Sequence, residues 1–300
     1  MPSIRTNVGP ISLENPFMLA SGILDENGYT MKRILENGAS AVVTKSIGTD
    51  ERAGYSTPVI VELPYGLINA IGLANPGIDN FGEEIKIALK GNRPVIGSIF
   101  GSTPEEFVNL ALKMKNYGVN AIELNLSCPH VKGFGSEVGS DPDLVEEIIK
   151  ELKSKINIPI FSKLSPNVTD ILSIAKAAER SDALVMINTV RAMSIDIYAR
   201  KPVLSNKYGG LSGQAIKNIG VRYVYEVKKE TGQQIVGVGG IETAEDAVEY
   251  IMAGASALQV GTVIHKKGMG VFKELSRGLE EFMNHEGYET VSAMTGVALS

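Results

Sequence analysis

The chain has 300 residues, 44% of them hydrophobic, and contains no apolar run near the 18 or more residues that a membrane span needs. Its 29 Lys and Arg residues against 34 Asp and Glu residues give a net charge of −5, without the cationic excess typical of nucleic-acid-binding proteins. A single cysteine, Cys128, excludes an intrachain disulfide and a cysteine-rich metal site, and the N-terminus shows no secretion signal, so we expect a cytoplasmic protein.

Eight short apolar runs follow one another along the chain and predict eight strands. Longer amphipathic stretches separate these runs, which is typical of βα units around a parallel sheet. The predicted strands are residues 17–20, 41–44, 95–99, 121–126, 158–163, 183–188, 234–238 and 257–260.

Two of the intervening segments carry clear helix signals. Residues 104–117 place apolar side chains at i, i+3, i+4 and i+7, and Ser102 or Thr103 precedes Pro104 as a candidate N-cap. Residues 141–155 begin in the same way and continue with one apolar stripe. Eight βα units favour a closed (β/α)8 TIM barrel of the α/β class; an open doubly wound sheet is the alternative.

The remaining segments complete the predicted organisation. Residues 4–13 alternate around the turn residues of an N-terminal β-hairpin that would close the bottom of the barrel. Residues 46–75 and 189–212, after strands 2 and 6, exceed ordinary loop lengths and are therefore expected to build the active site. Since no linker or repeat interrupts the chain, we predict one domain, residues 1–300.

Glycine-containing turns follow the seventh and eighth predicted strands. Gly239 and Gly240, and then Gly261 and Thr262, stand where many barrels bind a phosphate through backbone N–H groups. The alternative interpretation is a pair of tight βα turns, which also favour glycine. No GxGxxG motif follows a strand, so the sequence does not indicate a Rossmann-type nicotinamide site.

Three further side chains at strand ends suggest chemistry. Lys45 and Lys163 each end an apolar strand, where an ammonium needs a ligand, a carboxylate or a path to solvent. Cys128 lies just beyond the fourth strand in a glycine-containing loop, which favours a reactive thiol over a packing role. The three histidines share no metal-ligand spacing, so we expect no metal site.

Taken together, nine motifs resemble those of the dihydroorotate dehydrogenases, and they occur in that family's order. They span nearly the whole chain. The motifs are NPFMLASG (15–22), TKS (44–46), NAIGLANPG (69–77), ELNLSCPHVKG (123–133), KLSPNV (163–168), INT (187–189), GGLSG (209–213), VGVGGI (236–241) and QVGT (259–262).

This resemblance implies that FMN lies across the barrel mouth with its phosphate on the two glycine-containing turns. The implied flavin contacts are Ser21, Lys45, Ser46, Ser98, Asn125, Lys163, Ile187, Gly213, Gly239, Gly240, Gly261 and Thr262. The implied dihydroorotate contacts are Lys45, Asn69, Ala70, Ile71, Gly72, Leu73, Asn125, Asn188 and Thr189. Ser98 stands where the family often has an asparagine.

The resemblance also implies the reaction, which is oxidation of (S)-dihydroorotate to orotate in pyrimidine biosynthesis. A hydride would leave C6 for FMN, and Cys128 would take the proton from C5 as a general base. The membrane-bound class has serine at this position and an N-terminal extension, and neither occurs here. The GLANPG loop is most similar to the NAD-linked class 1B catalytic subunit, which works with a partner subunit carrying FAD and a [2Fe–2S] cluster. We therefore expect a homodimeric core or a heterotetramer.

Three alternatives remain at this point. The first is the fumarate-linked class 1A enzyme, which shares the fold and the cysteine. The second is an FMN reductase of tRNA uridines or free pyrimidines, although the tRNA version needs a basic surface that a net charge of −5 does not favour. The third is a barrel that binds a phosphorylated ligand as a sensor or scaffold, which would not need Cys128, Lys45 and the asparagines together.

Overall fold

Eight short strands pair in parallel and close into a barrel, as the apolar runs predict. The computed structural model describes residues 2–126 and 138–300, and the barrel lies within them. Each strand pairs with the next and the eighth with the first, and their bounds differ from the predicted ones by at most two residues. The strands are β1 (Phe17–Leu19), β2 (Ala41–Val43), β3 (Val95–Ile99), β4 (Ala121–Asn125), β5 (Ile160–Lys163), β6 (Ala183–Met186), β7 (Ile235–Val238) and β8 (Ala255–Val260).

Helices follow the strands and surround the barrel, which gives the predicted (β/α)8 architecture. They are α1 (Gly28–Glu36), α2 (Gly82–Leu89), α3 (Pro104–Tyr117), α4 (Pro142–Lys155), α5 (Ile171–Ala177), α6 (Lys217–Thr231), α7 (Ala244–Met252), α8 (Val263–Lys267), α9 (Val271–Glu286) and α10 (Val291–Met294). Of the two candidate N-caps before α3, the structure selects Thr103, whose side chain accepts from the N–H of Glu106. In the part of the chain that the structure describes, no helix is long and apolar enough to cross a membrane.

The N-terminal hairpin closes one end of the barrel. Its strands, Thr6–Val8 and Ile11–Leu13, pair antiparallel. Val8 and Leu13 are buried in the apolar cluster inside the barrel, together with Ala41 and Ala121, the first residues of β2 and β4. The hairpin therefore fills the amino-terminal end of the barrel and leaves the opposite end for a ligand site.

The two long connections after β2 and β6 meet over the carboxyl-terminal end of the barrel. Ile60–Leu63 and Gly66–Asn69 come from the first connection, and Val190–Ala192 and Gly209–Ser212 come from the second. These strands form one antiparallel four-stranded sheet, which we call the cover sheet. Because β2 and β6 lie opposite each other in the barrel order, the cover sheet bridges the mouth from both sides.

Two further strand pairs stiffen the same connections. Glu51–Arg52 pairs with Asn75–Pro76, and Ile195–Asp196 pairs with Lys201–Pro202. Each of these strands has two residues, which is too short for a periodic pattern to predict.

Candidate active site

A cavity of about 550 Å³ lies at the carboxyl-terminal ends of the barrel strands, next to the cover sheet. This is the position at which (β/α)8 enzymes place their active sites. Most of the predicted site residues line it. They are Ser21, Lys45, Ser46, Asn69, Ile71, Gly72, Leu73, Asn125, Lys163, Ile187, Asn188, Thr189, Gly213, Gly239, Gly240, Gly261 and Thr262.

Two predicted site residues do not line the cavity. Ser98 on β3 is fully buried, and its hydroxyl lies 2.8 Å from that of Ser46, which does face the cavity. Ala70 is also fully buried, and it lies with Ile68 and Leu204 in a small apolar cluster whose residues do not line the cavity. The structure therefore places Ser98 and Ala70 one layer behind the lining. The predicted base, Cys128, lies outside the described residues.

A chain of polar side chains links the ends of the first four strands. The hydroxyls of Ser21 and Ser46 are 3.3 Å apart, and the side-chain amide of Asn125 donates to the Ser46 hydroxyl at 3.0 Å. Ser98 supports Ser46 from behind. Because each group is held by a neighbour, this wall of the cavity presents polar atoms in fixed positions.

Lys163 projects from β5 into the cavity and is held from below by two buried polar side chains. Its Nζ lies 3.1 Å from Oε1 of Gln259 and 3.5 Å from a carboxylate oxygen of Glu123. The amide of Gln259 in turn donates to the other oxygen of Glu123. Glu123 is completely buried and Gln259 is 1% exposed, so the ammonium charge is balanced within the protein.

Lys45 is also paired with a carboxylate, but at the edge of the cavity. Its Nζ lies 2.7 Å from Oε1 of Glu26, whose side chain is mostly exposed. The neighbouring Asp25 is buried, and one of its oxygens accepts from the N–H of Gly22 at 2.5 Å. Burial raises the pKa of Asp25 to about 6, against the opposing effects of the Lys45 charge and the Gly22 N–H. Since both lysines have carboxylate partners, the lysines alone do not require an anionic ligand.

The two glycine-containing turns differ in why they need glycine. Gly240 has φ +70°, and a Cβ there would lie 2.8 Å from Cβ of Lys217, so the fold itself requires glycine. A Cβ at Gly261 would meet only Ala20, at 3.6 Å, and Gly261 lines the cavity. Packing therefore accounts for glycine at 240, whereas at 261 the missing side chain leaves room for a ligand.

The loop after the cover-sheet strand Gly66–Asn69 is held by a buried asparagine that sequence reasoning did not select. Oδ1 of Asn75 accepts from the N–H groups of Gly48 and Gly77, at 3.2 and 2.9 Å, and its amide donates to the carbonyl of Leu73 at 2.9 Å. Leu73 itself has φ +57°. Asn75 thus fixes the loop that carries the predicted substrate contacts.

Several lining residues were missed because nothing local in the sequence marks them. Gln259 is an exception, since a polar residue inside an apolar strand is a signal that could have found it, and the same signal marks its buried partner Glu123 behind the lining. Other missed lining residues include Ile23, Ile60, Glu62, Leu67, Ser212, Ile216, Val238, Ile241, Glu242, Val263 and His265. Within residues 2–126 and 138–300, no group of three or more His, Cys, Asp or Glu side chains could hold a metal ion.

The fold and the cavity together define a class. A closed parallel barrel with a cavity at the carboxyl ends of its strands, lined by two lysines and several asparagines, belongs to the class of (β/α)8 barrels with a ligand site at the strand ends. Comparison with known proteins then identifies the family within this class.

The profile of the dihydroorotate dehydrogenase family matches residues 3–283. The catalytic subunit of dihydroorotate dehydrogenase B (NAD(+)) from Thermoplasma volcanium is 66% identical over 299 residues, which cover 100% of this chain and 99% of that protein. The proteins of the same name from Pyrococcus abyssi and Methanocaldococcus jannaschii are each 48% identical, over 99% and 98% of both chains. This chain belongs to the dihydroorotate dehydrogenase family and is an oxidoreductase.

Proposed function

We propose that the protein oxidises dihydroorotate to orotate in pyrimidine biosynthesis, with FMN in the cavity and NAD+ as the final acceptor. The observation that carries the proposal is the cavity itself. It brings together Lys45, Asn69, Asn125, Lys163 and Asn188, which are spread over residues 45–188 of the sequence. The family membership and the names of the relatives support the same activity.

The residues present fit FMN. The open space in front of Gly261 and the adjacent Gly239–Gly240 turn suit a phosphate group, since backbone N–H groups bind anions well. The buried ammonium of Lys163 suits negative charge on the flavin ring. The proposed contacts are Ser21, Lys45, Ser46, Asn125, Lys163, Ile187, Gly213, Gly239, Gly240, Gly261 and Thr262. When bound, FMN supplies the two-electron acceptor for the hydrogen lost from C6 of the substrate.

The asparagines and Lys45 would bind the substrate. Dihydroorotate has an amide edge with donors and acceptors, which side-chain amides match, and a carboxylate, which an ammonium matches. Asn69 is fixed on the cover sheet, where its amide lies 3.4 Å from the carbonyl of Gly210. The side-chain oxygen of Asn188 accepts from the N–H of Thr189 at 2.8 Å. Ile71, Gly72 and Leu73 would complete this side of the site.

Cys128 would remove the proton from C5. Cys128 matches the cysteine base of the family motif, and a thiol with a pKa near 8.5 forms far more of the proton-accepting anion at neutral pH than a serine hydroxyl does. Dihydroorotate then loses a proton to the thiolate and two electrons with the C6 hydrogen, which balances the formation of the C5–C6 double bond.

The relatives named as NAD(+)-linked catalytic subunits support a separate electron-transfer subunit for this chain. We propose that this partner carries FAD and a [2Fe–2S] cluster, and that the assembly is a homodimeric core or a heterotetramer. On this proposal residues 1–300 act as one catalytic domain.

The visible spectrum of the purified protein under anaerobic conditions, before and after addition of dihydroorotate, tests the proposal. We expect a yellow protein whose absorbance near the flavin maximum bleaches with substrate. A yellow protein that does not bleach would reject the substrate while keeping the flavin. A colourless protein that cannot be reconstituted with FMN would reject both.

A further inference from the structure

A buried tyrosine lies directly behind the Gly239–Gly240 turn. Tyr250 on α7 is fully buried, and its hydroxyl lies 2.7 Å from the carbonyl oxygen of Gly239. The carbonyl oxygens of Val238 and Lys217 lie farther away, at 3.2 and 3.3 Å. Burial raises the pKa of this phenol far above its usual value, so it keeps its proton and donates it. Since a phenol has one proton to donate, the shortest contact, with Gly239, is the favoured hydrogen bond.

This hydrogen bond sets the direction of a backbone N–H. The peptide between Gly239 and Gly240 is trans, so its C=O and N–H groups point in opposite directions. Because the carbonyl of Gly239 faces Tyr250 behind the turn, the N–H of Gly240 faces the other way. Both glycines line the cavity and the buried Tyr250 does not, so the side of the turn away from Tyr250 is the cavity side.

Two glycines leave space for the hydroxyl group of Tyr250. A Cβ at Gly220 on α6 would overlap it, and a Cβ at Gly239 would lie 3.3 Å from it. Glycine at these two positions allows α6 and the turn to approach the phenol closely. Tyr250 is therefore wedged between a helix and the turn and does not simply fill apolar space.

A second residue on the same face of α7 holds the residues that follow the Gly239–Gly240 turn. Asp246 lies one helical turn before Tyr250, and its Oδ2 accepts from the N–H groups of Glu242 and Thr243, each at 3.0 Å. Its other oxygen lies 3.0 Å from Nζ of Lys217. Burial disfavours the carboxylate, but these N–H groups and Lys217 lower the pKa of Asp246 overall. Helix α7 thus fixes the turn at both ends.

We propose that Tyr250 is a positioning residue for phosphate binding, which acts by aiming the N–H of Gly240 at the phosphate of the flavin. This inference rests on the proposed function, since it takes FMN as the ligand. A tyrosine that only stabilised the barrel would affect every ligand of the cavity alike. A tyrosine that orients one N–H affects only ligands that carry the phosphate.

Riboflavin, which lacks the phosphate, separates these two roles. The experiment titrates FMN and riboflavin into flavin-free wild-type protein and into Tyr250→Phe, following flavin fluorescence. We expect the Kd for FMN to rise about tenfold in the variant, as for loss of one well-aimed hydrogen bond to a charged group, and the Kd for riboflavin to stay unchanged. Tyr117→Phe is the matched control, because its hydroxyl meets a carbonyl oxygen, that of Ile78, on the outer side of the barrel at 3.3 Å.

Equal weakening of both flavins, or unchanged FMN affinity, would overturn the positioning role. Wild-type protein that binds neither flavin would overturn the proposed function itself, which is a different outcome. If Tyr250→Phe does not fold, Asp246→Asn tests the same turn through its other end. The same selective loss of FMN affinity is expected there, and an unselective loss or none would overturn the proposal.

Discussion

The two lysines of the cavity differ in how their charges are balanced. Glu26, the partner of Lys45, is mostly exposed, so water screens the pair and the pairing is weak. Glu123, the partner of Lys163, is fully buried, so loss of the carboxylate would leave an unpaired charge in the interior. Lys45 can therefore leave Glu26 and pair with the carboxylate of a ligand with little loss of free energy. Lys163 stays in one position, because Glu123 and Gln259 hold its ammonium group.

Asp25 makes stability depend on pH. Its pKa is about 6 in the folded protein and 3.8 when exposed, so its contribution to stability is present below pH 3.8 and is lost as the pH rises through 6. Asp25→Asn is always neutral, so we expect it to match wild type near pH 4 and to be more stable by up to about 3 kcal/mol at pH 7. Urea unfolding at both pH values measures the difference.

The control for this measurement is Glu147→Gln, on the exposed face of α4. Its effect on unfolding should be small and similar at the two pH values. A stability difference between Asp25→Asn and wild type that does not grow from pH 4 to pH 7 would contradict the burial of a charge at this position.

Cys128 carries the prediction for the chemical step. If it is the general base, Cys128→Ala should slow reduction of the bound flavin by dihydroorotate by at least about 100-fold. FMN affinity should stay unchanged, because the thiol acts on the substrate. Anaerobic stopped-flow reduction of the two proteins measures the effect, and equal single-turnover rates would exclude the base role.

At the scale of secondary-structure elements, the end of the barrel that stabilises the fold is separate from the end that binds the ligand. The hairpin Thr6–Val8 and Ile11–Leu13 closes the amino-terminal end, and the cover sheet crosses the carboxyl-terminal end. Apolar side chains fill the barrel between them, including Met18, Val43 and Phe161. Changes at the hairpin should therefore alter stability without altering the ligand site.

Leu13→Ala tests this separation. Leu13 is 3% exposed within the barrel, so its truncation should lower the free energy of unfolding by about 2–5 kcal/mol. The Kd for FMN should not change. Leu112→Ala, on the outer face of α3 where the side chain is 36% exposed, should cost less than Leu13→Ala. A rise in the Kd for FMN in Leu13→Ala would show that the two ends are coupled.

The elements also show how far sequence reasoning extends. The eight strands and α3 were predictable because short apolar runs and a complete helical stripe decide them locally. The cover sheet was predicted only as two long loops, because its strands of three or four residues pair across distant segments. The motifs predicted most of the cavity lining, but not that Ser98 and Ala70 lie behind it, because burial depends on the packed barrel. Tyr250 escaped notice because a tyrosine on an amphipathic helix is usually a packing residue.

For the whole molecule, the electron path can be tested by the acceptor. Because this chain has one cysteine, it cannot supply the four cysteine ligands of a [2Fe–2S] cluster. We expect the isolated chain to reduce an artificial dye with dihydroorotate but to reduce neither fumarate nor NAD+. Addition of the proposed partner subunit, with FAD and an iron–sulfur cluster, should bring NAD+ reduction. Fumarate turnover comparable to that of the dye would assign the protein to the fumarate-linked class instead.

The cover sheet has a consequence for how the molecule folds. Its central pairing joins Asn69 to Gly210, which are 141 residues apart in the chain. Closing so long a loop loses chain entropy before the contact energy can offset that loss. Contacts of such long range therefore tend to form late in folding. The mouth of the barrel is then assembled only after both halves of the chain are in place. A ligand that binds in this cavity binds only the complete fold, so it stabilises that fold relative to every partly folded form. Ligand binding therefore reports that the barrel has closed.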